Sequence, residues 1–244
     1  MFLKIGETNI NYKRYGNKNG ESIVYLHGWG QNIEMMQPVA DPFQEDFDLI
    51  ILDLPGHGLS DEPKTVWSVY EYTDFVHHLL KELNVSNPIV VGHSFGGKIA
   101  LLYAAKYECS KLILFAPTFR KEIQKLSFKT KMLKSVKKVP GLKGLEEFAK
   151  KHIGSTDYKN ASPMMRNILV GHVNTDICED IKNIKCPTLL IWGDLDDQVS
   201  IEAAQKLENL IPDAGLVIYE NATHYAYLER IGQTINVMRS FLGR

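Results

Sequence analysis

The chain has 244 residues, a length that suits one large α/β domain. With 44% hydrophobic and 23% charged residues, it has the composition of an ordinary globular protein with enough apolar material for a core. A formal net charge of −1 excludes a general attraction for nucleic acid. No apolar run approaches the roughly 18 residues that a membrane span needs.

The cysteines and the N-terminal residues predict the cellular location of the protein. Cys109, Cys178 and Cys186 form no Cys-x-x-Cys pair, so we expect reduced thiols and neither a disulfide framework nor a metal site. The first residues lack the basic and apolar segments of a signal peptide. We therefore expect a cytoplasmic protein.

The first half of the chain alternates between strand and helix patterns. Segments 2–5 and 10–15, separated by a turn at 6–9, predict an antiparallel hairpin. Four apolar runs bounded by turn residues predict parallel strands that are buried on both faces: 23–26, 49–52, 89–91 and 112–115. The clearest helical patterns cover 69–83 and 96–107. This alternation predicts a mostly parallel sheet with helices on both faces.

A long irregular segment then interrupts the alternation. Residues 118–185 have a helical pattern without a convincing strand. Afterwards the strand pattern returns at 188–192 and 216–219, with helices at about 200–210 and 225–242. We expect a core formed by 1–117 and 186–244 and a helical cap inserted at 118–185, since long insertions of this kind tend to be functional.

The most informative motif is Gly-His-Ser-Phe-Gly at 92–96, directly after a predicted strand and before a predicted helix. A Gly-x-Ser-x-Gly segment in that context is typical of a nucleophile elbow, in which a sharp turn exposes the serine hydroxyl. The glycines leave room where side chains would collide with the tight backbone. The motif therefore predicts that Ser94 is a nucleophile.

A serine nucleophile needs a base, and an acid that orients the base. Asp194, Asp196 and Asp197 follow the predicted strand 188–192, and His224 follows the predicted strand 216–219. The order serine, acid, histidine is the order found with nucleophile elbows. From spacing alone, the choice among the three carboxylates stays open.

With these motifs, the sequence resembles the α/β-hydrolase superfamily over essentially its full length. Two further segments contribute to the resemblance, Leu-His-Gly-Trp-Gly at 26–30 and Asp-Leu-Pro-Gly-His-Gly-Leu-Ser at 53–60. They resemble small carboxylesterases such as pimeloyl-carrier-protein methyl ester esterases, and enol-lactonases and C–C bond hydrolases are also similar. The resemblance implies the α/β-hydrolase fold and a serine-hydrolase chemistry that needs neither metal nor cofactor.

The resemblance also implies which carboxylate acts. In the family's Gly-x-x-Asp turn the acid lies three residues after the glycine, which here is Asp196 after Gly193. Asp197 stays the alternative, because a shift of one residue in the turn would present it instead. Asp194 is then expected to shape the turn.

The catalytic roles follow from this resemblance and from the chemistry of the triad. His224 is expected to take the proton of Ser94, and Asp196 to orient the imidazole. The backbone N–H groups of Trp29 and Phe95 are expected to form the oxyanion hole. The Trp29 side chain either lines the acyl pocket or packs structurally.

Three other histidines are assigned no part in the reaction. His27 and His57 are expected to stabilise their loops. The side chain of His93 is expected to point away from the reacting oxygen.

The predicted cap supplies candidates for substrate and partner binding. Apolar residues that are candidates for the acyl-binding wall are Phe119, Phe128, Met132 and Met165. Residues 120–151 also contain eleven Lys or Arg against three Glu. This cluster is either a solvated helix face or a positive surface that attracts an anionic substrate, such as an acyl group on an acidic carrier protein.

We therefore expect a carboxylesterase that acts on a small or medium acyl ester. A dehalogenase or an epoxide hydrolase of this fold would have an aspartate in place of Ser94. Lactonases, C–C bond hydrolases, hydroxynitrile lyases and cofactor-free haloperoxidases share the serine triad and stay alternatives. A non-catalytic binding protein of the same fold is disfavoured, because serine, acid and histidine are all retained.

Overall fold

A computed structural model describes residues 1–120 and 161–244, which form one eight-stranded sheet. The strands are β1 (Phe2–Ile5), β2 (Thr8–Gly16), β3 (Ser22–Leu26), β4 (Asp48–Leu52), β5 (Ile89–His93), β6 (Lys111–Phe115), β7 (Thr188–Gly193) and β8 (Ala214–Tyr219). Their spatial order is β1-β2-β4-β3-β5-β6-β7-β8. β2 pairs antiparallel with β1 and β4, and every neighbouring pair from β4 to β8 is parallel.

Helices cover both faces of this sheet. They are α1 (Ile33–Ala40), α2 (Val69–Glu82), α3 (Ser94–Lys106), α4 (Pro163–Asn174), α5 (Cys178–Ile181), α6 (Ile201–Leu210), α7 (Ala226–Glu229) and α8 (Ile231–Leu242). Successive strand residues point to opposite faces. Val24 and Leu26 therefore join the core under α2, α3 and α6, whereas Ile23 and Tyr25 join the core under α1 and α8. This arrangement confirms the predicted sheet with helices on both faces.

The central strands form where the sequence is continuously apolar. Every residue of β4 and β5 is buried, as expected of parallel strands that are covered on both faces. The helices begin at recognisable caps. At the start of α2, Ser68 and Glu71 form a capping box, in which each side chain accepts a hydrogen bond from the other residue's backbone N–H.

Three local features differ from the sequence-based expectations. The hairpin turn is only two residues long, because Ile5 already pairs with Thr8 and Gly6 adopts a positive φ of 58°. The last helix is divided at Arg230, whose backbone leaves the helical region (φ −119°, ψ 42°). Helix α1, which contains Pro38, was not distinguished by the sequence pattern.

The connection between β6 and β7 is unusually long. These strands are neighbours in the sheet, yet residues 116–187 lie between them in the chain. The described end of this connection contains α4 and α5, and α4 buries Met165, Ile168 and His172. Residues 121–160 are outside the described part, so the predicted cap boundaries, 118 and 185, stay a prediction.

Candidate active site

The site is built at the carboxyl ends of the parallel strands, where β5 turns into α3. Ser94 is the first residue of α3 and has a φ of +50°, in the left-handed region that non-glycine residues rarely adopt. Holding such a conformation costs about 1–3 kcal/mol, and residues of this kind cluster at functional sites. Ser94 is partly exposed, whereas both of its chain neighbours are buried.

Two glycines allow this sharp turn because the backbone segments approach closely. A Cβ atom on Gly92 would lie 2.6 Å from the carbonyl oxygen of Gly96. A Cβ atom on Gly96 would collide with the carbonyl oxygens of Leu26 and His27 in the loop after β3. Glycine is therefore required at both positions, as the elbow motif predicts.

His224 and Asp196 meet next to the carboxyl ends of β7 and β8. Nδ1 of His224 lies 2.7 Å from Oδ2 of Asp196, and the two side chains are 3% and 0% exposed. The other carboxylate oxygen accepts hydrogen bonds from the backbone N–H groups of Gln198 (2.8 Å) and Val199 (2.9 Å). Both oxygens of this buried carboxylate are thus satisfied.

This contact fixes the hydrogen of the imidazole. A carboxylate only accepts hydrogen bonds, so Nδ1 of His224 must be the donor, and in the neutral ring Nε2 carries the free lone pair. Nε2 is buried and has no hydrogen-bond partner among the described residues. Asp197 is exposed and makes no contact with His224. The structure therefore brings Asp196, rather than Asp197, to the histidine.

Two side chains next to Asp196 and His224 contact the backbone of the loop that carries the histidine. Nε2 of His93 lies 3.1 Å from the carbonyl oxygen of His224, and burial keeps the pKa of His93 well below its usual range. Asp194 accepts a hydrogen bond from the backbone N–H of Ala222 (3.3 Å). His93, expected only to point away from the nucleophile, thus contacts the backbone of the loop that carries His224.

The loop after β3 lies against the start of α3. Its His27 carbonyl accepts a hydrogen bond from the backbone N–H of Gly96 (3.1 Å). Trp29 lies two residues after His27 and Phe95 lies directly before Gly96, and neither of their N–H groups donates a hydrogen bond to another described residue. An oxyanion hole needs two N–H groups that do not already donate elsewhere, and the hole at Trp29 and Phe95 stays a prediction.

His27 links this loop to the loop after β4. Its Nε2 accepts a hydrogen bond from the backbone N–H of Leu54 (3.0 Å), and Nδ1 lies 2.7 Å from the carbonyl oxygen of Gly28. Complete burial lowers the pKa of His27 to about 4, so the ring is neutral at pH 7. These contacts agree with the expected role of His27 in stabilising its loop.

Aromatic rings form a cluster directly beside the elbow. The rings of Trp29 and Phe95 are 5.2 Å apart, and His57 and His172 contact both of them. Met165 of α4 lies so close to Gly56 that a side chain on that glycine would collide with it. Trp29 and Met165, two of the candidate wall residues, therefore lie in or next to this cluster.

Of the other candidates for the acyl-binding wall, one lies in the core and two lie outside the described residues. Phe119 is 1% exposed and belongs to the main core, where its carbonyl oxygen accepts a hydrogen bond from the N–H of Ile177 (2.9 Å). Phe128 and Met132 lie outside the described residues. The same is true of the basic cluster, except for Arg120.

Two residues near the site have no counterpart in the sequence-based assignments. Lys98, one turn after Ser94, is completely buried, and its Nζ donates to the carbonyl oxygens of His172 (2.8 Å) and Thr175 (2.6 Å) at the end of α4. Nε2 of His172 lies 3.3 Å from Oγ1 of Thr118, whose backbone N–H donates to the carbonyl oxygen of Ser94 (3.3 Å). The one available signal was a lysine within an apolar helix.

Comparison with known proteins places this geometry in a family. The family model for the α/β-hydrolase fold matches residues 21–126. The AB hydrolase superfamily protein YisY of Bacillus subtilis is 30% identical over 237 residues, which cover 86% of this chain and 87% of the relative. The chain belongs to the α/β-hydrolase superfamily.

Other members of the superfamily match almost end to end. The 2-(acetamidomethylene)succinate hydrolase of Mesorhizobium japonicum is 24% identical to this chain over 245 residues, covering 91% of this chain and 87% of the relative. The crystal structure of the enol-lactonase from Burkholderia xenovorans LB400 superposes with a TM-score of 0.80, covering 100% of both chains at 20% identity. These likenesses confirm the predicted α/β-hydrolase fold.

Two absences hold for the described part of this α/β hydrolase. Among the helices of residues 1–120 and 161–244, none combines the length and the apolar character that crossing a bilayer requires. Within the same ranges, no three histidine, cysteine or carboxylate side chains are grouped as they would be around a metal ion.

Proposed function

We propose that this α/β hydrolase is a serine hydrolase, and specifically a carboxylesterase that cleaves small or medium acyl esters through an acyl-enzyme. The observation that carries the proposal is the 2.7 Å contact between His224 and Asp196, which makes the buried Nε2 the acceptor nitrogen of the neutral ring. A nitrogen in that state is suited to take the hydroxyl proton of Ser94 at the elbow.

The first half of the reaction forms the acyl-enzyme. Oγ of Ser94 attacks the ester carbonyl carbon while its proton moves to Nε2 of His224. Asp196 stabilises the resulting imidazolium through the hydrogen bond at Nδ1. The tetrahedral intermediate then collapses, and the imidazolium returns its proton to the departing alkoxide.

The second half of the reaction releases the acid. Water loses a proton to Nε2 of His224 and attacks the acyl carbon, and the proton returns to Oγ of Ser94 as the C–O bond breaks. In both halves the negative oxygen accepts hydrogen bonds from the N–H groups of Trp29 and Phe95. The N-terminus of α3 adds a favourable dipole at the same point.

A covalent probe and a substrate panel test the proposal. The folded wild-type protein should react with a fluorophosphonate probe and hydrolyse p-nitrophenyl esters, with the fastest hydrolysis at short or medium acyl length. The Ser94→Ala variant should do neither while keeping its thermal unfolding temperature. A folded wild-type protein that is not labelled by the probe would exclude a serine hydrolase.

A lactone belongs in the same panel. A lactone is an intramolecular ester that the same triad can open, and the similar fold of the Burkholderia enol-lactonase makes it the natural second candidate. If kcat/KM for the lactone exceeds that for every open ester by more than about a hundredfold, the protein is a lactonase. C–C bond hydrolase activity and haloperoxidase activity are assayed with the same Ser94→Ala control.

We further propose a carrier partner and a location. The basic segment 120–151 would attract an acyl group on an acidic carrier protein. Changing Lys134, Lys137 and Lys138 to glutamate, all outside the described residues, should raise KM for a carrier-bound ester but not for p-nitrophenyl acetate. Equal effects on both substrates would refute the carrier. A cytoplasmic location fits the three free cysteines, and cell fractionation tests it.

A further inference from the structure

Two imidazole nitrogens beside the elbow are buried without serving the proposed reaction. Nε2 of His57 and Nδ1 of His172 have no hydrogen-bond partner among the described residues. The two residues are only 5% and 4% exposed. Because unpaired buried polar atoms are rare in folded proteins, each of these nitrogens calls for an explanation.

Both histidine rings pack against the same two aromatic side chains, Trp29 and Phe95. His57 packs edge-on against Trp29, with ring centroids 4.9 Å apart, and His172 lies parallel to Trp29 at 6.5 Å. Each histidine also contacts Phe95, at 6.0 Å and 4.6 Å respectively. Phe95 directly follows Ser94 in the chain. The two histidines with unpartnered nitrogens therefore both contact the residue next to the proposed nucleophile.

A second connection ties His172 to the nucleophile. Its Nε2 contacts the hydroxyl of Thr118, and the backbone N–H of Thr118 donates to the carbonyl oxygen of Ser94. On its other side, the His172 carbonyl accepts a hydrogen bond from buried Lys98, so the end of α4 is fixed to α3. His172 is therefore connected to α3 both through its ring and through its backbone carbonyl.

The environment makes both rings neutral. Burial lowers the pKa of His57 to about 3, and burial together with the Lys98 ammonium keeps the pKa of His172 well below its usual range. A ring nitrogen with a free lone pair accepts hydrogen bonds, so it suits a hydroxyl donor and not a carboxylate, which is itself only an acceptor. The carbonyl oxygen of Pro55, 3.1 Å from Nδ1 of His57, requires the hydrogen on that nitrogen, so Nε2 is an acceptor.

We propose that His57 and His172 form a polar subsite that selects an acyl group carrying a hydroxyl over an alkyl acyl group of the same size. The substrate hydroxyl donates to Nε2 of His57, and Nδ1 of His172 provides the second polar contact. The rings of Trp29 and Phe95 contact the carbon skeleton. The inference rests on the proposed hydrolase function and names the substrate class of that site.

A pair of isosteric esters tests the subsite. We compare kcat/KM for p-nitrophenyl 3-hydroxybutanoate and p-nitrophenyl 3-methylbutanoate, which differ by a hydroxyl in place of a methyl group. The ratio of the two values should fall about tenfold in the His57→Phe and His172→Phe variants relative to wild type, as one lost hydrogen bond predicts. The control variant His78→Phe, at an exposed histidine of α2, should leave the ratio unchanged.

A ratio is informative because intrinsic ester reactivity and any partial loss of folded protein cancel within each variant. If the ratio is the same in wild type and in both histidine variants, the subsite is wrong although the hydrolase function stands. If neither ester is cleaved by wild type, the proposed function has failed.

Ligand binding to the inactive Ser94→Ala variant tests the subsite without turnover. In Ser94→Ala, methyl 3-hydroxybutanoate should raise Tm more than methyl 3-methylbutanoate does. Equal shifts in Tm would overturn the subsite.

Discussion

Replacing Asp196 with asparagine tests the contact on which the proposed mechanism depends. One carboxylate oxygen accepts from the backbone N–H groups of Gln198 and Val199, and the other contacts Nδ1 of His224. Asparagine has a single oxygen, which the two N–H groups will retain. The amide NH2 group then faces Nδ1 of His224.

The consequence is a change of tautomer. Nδ1 of His224 must now accept a hydrogen bond from the amide, so the ring hydrogen moves to Nε2, which can no longer take the proton of Ser94. The positions of the side chains stay the same, but His224 can no longer act as the general base. In serine triads such a change lowers kcat roughly 10⁴-fold, which corresponds to about 5 kcal/mol of transition-state stabilisation.

The assay is kcat for p-nitrophenyl acetate at pH 7, with thermal unfolding as the test of folding. The matched control is Asp197→Asn, because Asp197 is exposed and does not contact His224, and its kcat should stay within about twofold of wild type. If Asp196→Asn keeps more than one-tenth of the activity, or if Asp197→Asn is the damaging change, the tautomer argument is refuted.

Three further predictions concern stability. Ser94→Gly should be more stable to urea than Ser94→Ala by about 1 kcal/mol, because glycine accepts the positive φ; equal stabilities would contradict the strain. Arg14→Ala should cost about 3 kcal/mol in urea unfolding by leaving buried Asp48 without its ion pair, and a loss below about 1 kcal/mol would contradict this. Burial lowers the pKa of Lys98 from 10.5 to about 8, so its unfolded form binds more protons between these pH values. The stability of wild type relative to Lys98→Met should therefore rise by about 3 kcal/mol from pH 8 to 10.5; a flat or falling difference would contradict the shift.

The strands could be predicted from the sequence because their signal is local. The runs 49–52 and 112–115 are apolar throughout, and the structure extends each by one residue at its start. Elements that depend on distant contacts were harder to predict. The break at Arg230 is one example, since its guanidinium donates to the carbonyl oxygens of Glu220 and Asn221.

The same distinction between local and distant signals applies to the candidate site. The elbow at Ser94 could be predicted because glycine spacing and the strand–helix order are written in consecutive residues. Adjacent Asp196 and Asp197 could not be separated by spacing, because the backbone N–H groups of the turn decide which carboxylate faces inwards. His93 was assigned only a direction, because its partner His224 lies 131 positions away in the chain.

By itself, the sequence determined the fold class and the chain order of the elbow serine, the candidate carboxylates and His224. Only the tertiary structure decided that Lys98 would be buried against the end of α4, and that His57 and His172 would both contact Trp29. The physical reason is that the protonation and hydrogen bonding of a side chain depend on neighbours that packing supplies. Those neighbours come from separate loops. The register of the sheet and the packing of α4 on the core bring these loops together.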